Sequence, residues 1–198
     1  MYGTNTTTPI ARRKLNTAMA STARSVGIIL IVLIAMSFDI LATDAGATFL
    51  AKTCKKTTNP SLCLAVLRVD PKSASTTTVH DLASIALQIA SDTADHNAEV
   101  IHNLAKDVQG TPEGDAFTIC LGAYVDATND LEIDVRPGFD GGNYVDARNL
   151  VLGAKAVGDR CESAFKGIKK KSPVTNIDLQ MTERCGVAGE LIGLLIHK

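Results

Sequence analysis

The sequence predicts an all-α protein, an up-down-up-down four-helix bundle with an N-terminal helical hairpin, stabilised by disulfide bonds. The first observation is that apolar residues recur three and four positions apart over long stretches, as on one face of a helix. Aromatic residues make up only 4% of the 198 residues and Trp is absent, whereas strand-rich cores favour aromatic and β-branched residues. Third, all five cysteines follow a segment with the features of a secretory leader.

Residues 1–47 are predicted to be a signal peptide with an extended basic region. An apolar run at 26–36 follows four basic residues and precedes small residues that end at Ala47, which is the order of a secretory signal. The run is shorter than the roughly 20 residues that span a bilayer, although a signal anchor is the alternative interpretation. Cleavage is expected after Ala47 or, alternatively, after Ala42. Translation from Met19 instead of Met1 would give a leader of ordinary length.

The secreted remainder, residues 48–198, is predicted to form one domain. Residues 48–70 suit a short helical hairpin, because Asn59-Pro60 is a helix-start signal with Pro at the first position. The apolar face of its second helix contains Leu62, Ala65, Val66 and Val69.

Residues 78–196 are predicted to form the four-helix bundle. The polar linker 70–78 leads to Thr78, a cap residue followed by Asp81 three positions on. Breaks at 110–114, 136–143 and 166–173 separate four helical patterns, and the break at 136–143 is predicted to be a Pro-Gly and Gly-Gly turn. The apolar positions of the four patterns are, in order, Leu82, Ile85, Ile89, Ile101, Leu104 and Val108; Ala116, Ile119, Cys120, Ala123, Tyr124, Ala127 and Leu131; Ala147, Leu150, Val151, Ala154, Cys161 and Phe165; and Met181, Cys185, Ala188, Ile192 and Leu195.

Four of the five cysteines are expected to pair in an oxidising compartment. Counting alone does not choose among the connectivities that four cysteines allow. Spacing favours Cys54 with Cys63 across the hairpin, and Cys120 with Cys161 across two antiparallel helices. This pairing leaves Cys185 on an apolar stripe, where a buried small hydrophobe is favoured over a reactive or intermolecular thiol.

The remaining motifs do not combine into a catalytic or metal site. A net charge of -1 and the absence of a basic stripe argue against nucleic acid as a partner. His96 and His102 are six positions apart, whereas a zinc helix needs two histidines four apart. The only cysteine available as a nucleophile is Cys185, and the lysines at 169–171 suit a solvated loop. We therefore expect no enzyme activity, no cofactor and no bound metal, but a secreted protein that binds a partner.

Several motifs in register resemble the plant invertase and pectin methylesterase inhibitors. The resemblance covers residues 50–196, and the stretch 70–73 is similar to the pollen-allergen branch of that family, as is 171–175. The motifs are Cys54-Lys-Lys-Thr57-Thr-Asn59-Pro60-Ser-Leu-Cys63, then Cys120-x-x-x-Tyr124-x-x-Ala127-x-x-x-Leu131, then Asp146-Ala-Arg148 and Cys161-Glu-Ser-Ala-Phe165.

The resemblance implies the disulfides Cys54–Cys63 and Cys120–Cys161. It also implies a non-catalytic protein of the apoplast or cell wall, with the vacuole as an alternative location and no membrane attachment after signal cleavage. Such a protein forms a reversible one-to-one complex that blocks the substrate cleft of a pectin methylesterase (pectinesterase) or of an acid invertase. In complexes with pectin methylesterase the bundle helices cover the pectin-binding cleft, and in those with invertase a Pro-Lys-Phe turn enters the sucrose pocket.

The corresponding turn here is Pro137-Gly138-Phe139, followed by Asp140, and these four residues are the expected target-binding site. Gly138 stands in place of the lysine that would face an invertase's carboxylates, which favours pectin methylesterase; the similarity to the pollen branch favours invertase. In the alternative interpretation of the turn, Phe139 is folded onto the bundle. A different class of function is a secreted, non-catalytic helical binding module for an apolar ligand or another cell-wall protein, which would need a sizeable apolar cavity.

Three histidines, His80, His96 and His102, fall in or beside one predicted helix. Histidine commonly gains a proton between about pH 7 and pH 5. Binding is therefore expected to vary over this range if that helix contacts the target.

Overall fold

The computed structural model describes residues 45–196, which are helical with short connections and contain no strand. The predicted all-α class is confirmed. Most of the predicted leader lies outside the described residues. Residues 45–47, which our boundary assigns to the leader, belong to a helix that ends at residue 54 (α1).

The N-terminal hairpin consists of α1 (45–54) and α2 (Pro60–Leu67). Asn59 caps α2, since its side chain accepts a hydrogen bond from the Leu62 N–H at 3.1 Å. The Cys54–Cys63 disulfide joins the two helices, with Cα atoms 5.5 Å apart. The hairpin turn is held to the last helix of the chain, because the Thr58 N–H donates to Glu190 Oε2 at 2.8 Å.

A close backbone contact fixes α1 against the short 3₁₀-helix Pro71–Ala74. Gly46 is buried there, and a Cβ on it would lie 2.1 Å from the carbonyl oxygen of Ala74. Only glycine fits at that separation, so residue 46 is part of the packed fold.

The bundle has four helical arms. The first is α3, Val79–Lys106. The second is α4, Pro112–Asn129, which continues through the π-helical segment Asp130–Val135 into α5, Arg136–Asp140. The third consists of α6, Tyr144–Ala154, and α7, Val157–Gly167, and the fourth is α8, Thr175–Ile196. Arm α3 packs between α4 and α8, while α6 and α7 both pack on α8 and α7 also packs on α4, so the four arms close a ring.

Helix starts follow local sequence signals. The Thr78 hydroxyl accepts a hydrogen bond from the Asp81 N–H at 3.0 Å and caps α3. Thr111 caps α4 in the same way, accepting from the Gly114 N–H at 3.1 Å. Each cap satisfies one of the N–H groups that a helix start leaves without an internal partner.

Two predicted features of the bundle are wrong. The turn predicted over 136–143 is helical as far as Asp140, and only 141–143 form a tight turn. Pro137 is the second residue of α5 and directly follows the π-helical segment, where the regular hydrogen-bond ladder of the helix is already interrupted. The third arm, predicted as one helix, is broken after Ala154. Within α7, a Cβ on Gly158 would lie 2.7 Å from the Asp178 Cβ, so α7 approaches α8 closely.

Some apolar residues predicted to face the core are exposed. Ile119 is 53% exposed and Leu150 is 42% exposed. Val69 and Leu104 are exposed as well. The second arm packs through other residues of its stripe, such as Cys120 and Ala123, so residues one position away on the helix face solvent.

The second disulfide, Cys120–Cys161, joins α4 to α7, whose Cα atoms are 4.6 Å apart at this point. It lies in the core of the bundle, since both cysteines are fully buried. Cys185 is buried on α8 and is not part of a disulfide.

Candidate functional site

The predicted target-binding residues lie at one end of the bundle, which we call the α5 end (residues 130–143). Helix α5 ends where the Gly141 N–H donates to the Pro137 carbonyl at 2.9 Å and the Asn143 N–H donates to that of Gly138 at 2.8 Å. Gly142 follows with a φ of 80°, in the left-handed region that favours glycine. These bonds close the segment into a compact corner between α4 and α6.

Phe139 points into the protein and not towards solvent. Its side chain is 0% exposed. It stacks on His80 of α3 with ring centroids 4.7 Å apart, and Tyr144 of α6 lies 5.6 Å away. The ring joins three arms of the bundle, as in the alternative interpretation of this motif, and it is not available to enter a partner's pocket in this conformation.

Arg136 is also committed to the bundle. Its guanidinium donates to the Ser84 hydroxyl at 3.0 Å and to Gln88 Oε1 at 3.1 Å, both on α3. Its distance of 3.9 Å from Asp140 makes a weak ion pair. The guanidinium of Arg136 therefore holds the α5 end to α3.

Pro137, Gly138 and Asp140 form the outer surface of α5. Pro137 and Asp140 are exposed and Gly138 is partly exposed. A Cβ on Gly138 would have no heavy atom within 4 Å outside its own helical turn. A larger side chain can therefore be placed at this position without a clash.

The π-helical segment adds an apolar residue that the sequence pattern did not single out. Ile133 is 67% exposed, while Leu131 and Val135 beside it are buried. Exposed carboxylates of Glu132 and Asp134 flank it. Insertions of π-helix are frequent at functional sites, and an exposed isoleucine between acidic residues suits a protein contact. In the sequence, Ile133 could have been recognised as an apolar residue that lies outside the predicted apolar stripe of the second arm.

An open groove of about 420 Å³ continues this surface between α4 and α7. Its floor consists of small residues, among them Ala123, Ala127 and Ala154. Asp126 and Arg160 lie on its rim 3.6 Å apart, and the other lining residues are Asp130, Gly153, Ala156, Val157, Asp159 and Ser163. The charged rim suits a partner's surface better than an apolar ligand.

Groups that could perform a reaction are not assembled. Among residues 45–196 no set of three or more His, Cys, Asp or Glu could hold a metal ion. His96 and His102 are exposed on α3. Burial raises the pKa of the Cys185 thiol to about 12, against a smaller opposing effect of Lys155. The thiol therefore stays protonated, which does not suit a nucleophile.

The sequence profile described as plant invertase/pectin methylesterase inhibitor matches residues 48–191. The chain belongs to this family. It is accordingly an enzyme-inhibitor protein and not an enzyme.

Two curated relatives carry different targets in their names. A pectinesterase inhibitor of Actinidia deliciosa is 27% identical over 150 residues, which are 74% of this chain and 78% of the relative. A cell wall / vacuolar inhibitor of fructosidase 2 of Arabidopsis thaliana is 25% identical over 178 residues, which are 86% of this chain and 98% of the relative. These comparisons therefore show the inhibitor family of this chain, but they do not show which of the two enzymes it inhibits.

Solved structures support the fold. A mutant form of a pectin methylesterase inhibitor from Arabidopsis matches with a TM-score of 0.60 at 22% identity, over 71% of this chain and 93% of that one. Another pectin methylesterase inhibitor from Arabidopsis thaliana matches with a TM-score of 0.55 at 21% identity, over 75% and 97%. Within the described part of this inhibitor, no helix is long and apolar enough to cross a membrane.

Proposed function

We propose that this inhibitor is secreted to the plant cell wall and acts on a pectin methylesterase, forming a reversible one-to-one complex that covers the substrate cleft. The choice of target rests on the conformation and side chains of Pro137-Gly138-Phe139. Phe139 is fully buried and Gly138 has no side chain, so the α5 end presents no lysine or aromatic ring that could enter a narrow pocket.

The docking surface consists of Ile133 and the α4–α7 groove. Ile133 supplies an exposed apolar contact, and the groove supplies small side chains with a charged rim. An apolar centre within a polar rim is the usual arrangement of a protein interface. A groove that is open to solvent suits contact with an open cleft, such as that of an enzyme acting on a polymer, better than insertion into a narrow pocket.

The first test is an inhibition assay on the secreted, disulfide-bonded protein. Pectin methylesterase activity is followed by the acid released from methylated pectin, and invertase activity by glucose released from sucrose, at pH 5 and pH 7. We expect stoichiometric inhibition of a pectin methylesterase and none of the invertase. Inhibition of invertase alone would overturn the choice of target, and inhibition of neither across several isoforms would favour the non-catalytic binding module.

Invertase is the second candidate, because the fructosidase inhibitor matches along 98% of its length and because Pro137 remains exposed in the equivalent turn. Gly138→Lys tests it directly, since the site has room for the side chain. A charge-assisted hydrogen bond of about 1.5–3 kcal/mol would strengthen invertase binding by roughly ten- to a hundredfold.

Gly138→Met is the matched control, because it adds a side chain of similar length without charge. We expect Gly138→Lys to gain invertase inhibition and Gly138→Met to gain none. Equal behaviour of both variants and the unmodified protein would show that the outer surface of α5 does not meet the invertase pocket.

A further inference from the structure

Asp178, in the first turns of α8, places a carboxyl group in the core of the bundle. The residue is 5% exposed. Its Oδ1 accepts a hydrogen bond from the Tyr124 hydroxyl of α4 at 2.8 Å. Its Oδ2 is buried without a hydrogen-bond partner. A buried carboxylate oxygen without a partner is costly, whereas the protonated carboxyl avoids burying a charge.

Helices from all four arms meet at this turn of α8. A Cβ on Gly158 of α7 would lie 2.7 Å from the Asp178 Cβ, so the two backbones are in close approach. Asn97 of α3 donates to the carbonyl of Ile177 at 3.2 Å, and Tyr124 brings in α4. A change in the charge of Asp178 therefore acts on the contacts between several helices at once.

The groups that face Asp178 are mostly acidic. Helix α7 contributes the carboxylates of Glu162 and Asp159, and the Thr175 hydroxyl donates to Glu162 at 2.7 Å. Helix α4 contributes the hydroxyl of Tyr124, which in turn faces the uncharged Asn97 of α3 and the thiol of Cys185 on α8.

The α7–α8 loop places its lysines along an open cavity of about 600 Å³ that Glu162 and Asp159 also line, together with Ser163, Lys166, Lys169, Lys170, Lys171 and Ser172. Glu162 therefore connects the buried carboxyl to a solvent-accessible surface.

We propose that Asp178 is a proton-dependent lock of the bundle: its protonated carboxyl holds α4, α7 and α8 together, and its ionisation weakens their packing, so that the fold is most stable in an acidic compartment. The proposal concerns the fold alone and stands whichever enzyme the inhibitor binds.

The sign of the effect follows from the two pKa values. Burial raises the pKa of Asp178 to about 7, the Tyr124 hydrogen bond opposes this rise, and Glu162 and Asp159 add to it. An aspartate in an unfolded chain titrates near about 3.9. Between these two pKa values, Asp178 is protonated in the folded state and ionised in the unfolded chain. Raising the pH across this interval therefore favours unfolding, and the unfolding equilibrium constant should rise by up to about tenfold per pH unit and then level off.

Equilibrium urea unfolding of the disulfide-intact protein at pH 5, 6, 7 and 8 tests the proposal. We expect the unmodified protein to lose stability from pH 5 to 7 and Asp178→Asn, which resembles the protonated carboxyl, to lose much less. Asp95→Asn is the control, because Asp95 is an exposed carboxylate of α3, and it should keep the original dependence. Histidine titration is common to all three proteins and cancels in the comparison.

A second variant keeps the test decisive if Asp178→Asn does not fold. Glu162→Gln removes a carboxylate that faces Asp178, so the pH at which stability levels off should move to a lower value. Equal pH dependence of Asp178→Asn and the unmodified protein would overturn the proposal, as would an unchanged profile in Glu162→Gln.

Discussion

Phe139 is the residue whose environment most affects the interpretation of the site. In sequence it follows Pro137 and Gly138, as the aromatic residue of an inserting turn would. In the structure its ring lies between His80 and Tyr144. Its burial there removes apolar surface from water and fixes α5 against α3 and α6.

Replacing Phe139 by Ala should therefore act on stability. Truncating a buried phenylalanine costs about 3–5 kcal/mol, and we expect a loss of this size in urea unfolding. Val145→Ala is the control, because Val145 is 52% exposed and its truncation should change stability by about 0.5 kcal/mol or less. Where Phe139→Ala is still folded, it should inhibit the target as well as the unmodified protein does; loss of inhibition by the folded variant would show that the ring contacts the enzyme.

Among the helices, the π-helical segment Asp130–Val135 differs most from the regular pattern. Its two anchors, Leu131 and Val135, are buried, while Ile133 between them is exposed. An exposed isoleucine adds little to the stability of the free protein, so its contribution is expected in a complex.

Ile133→Ser tests this contribution. We expect it to weaken inhibition of pectin methylesterase at least about tenfold, as for a residue at the centre of an interface, and to leave urea unfolding unchanged. Val69→Ser is the matched control, since Val69 is 59% exposed on the segment after α2 and lies outside the proposed surface. A similar inhibition constant for both variants would place the contact elsewhere.

The helix starts show which boundaries can be predicted from capping residues in the sequence and which cannot. Asn59, Thr78 and Thr111 cap their helices through side-chain oxygens, and the first two starts were predicted. The break before α7 was missed, because its first residue follows Ala156, which has no capping side chain. The close approach of α7 to α8 at Gly158 is a tertiary contact, and neighbouring residues in the sequence do not predict it.

In the whole molecule, the two disulfides brace different parts of the chain. Cys54 and Cys63 are separated by 9 residues, whereas Cys120 and Cys161 are separated by 41. A cross-link over a longer loop removes more entropy from the unfolded chain.

Removing each disulfide by a double Cys→Ala change should therefore have unequal effects. On a chain-entropy estimate, loss of Cys120–Cys161 costs about 4 kcal/mol and loss of Cys54–Cys63 about 2.6 kcal/mol. Urea unfolding of both variants, with Cys185→Ala as the thiol control, measures the difference. A larger loss from the hairpin disulfide would show that strain or residual structure outweighs the entropy term.

The sequence by itself determined the all-α class, the order of the helical arms, two of the helix caps and the pairing favoured for the cysteines. These features depend on the periodicity of apolar residues and on residues close together in the sequence, which can be recognised without knowing which helix packs against which. The burial of Phe139, the exposure of Ile133 and the isolation of the Asp178 carboxyl were decided only by the tertiary structure. Each depends on which side of a helix meets another arm of the bundle, and that is set by contacts between residues tens of positions apart.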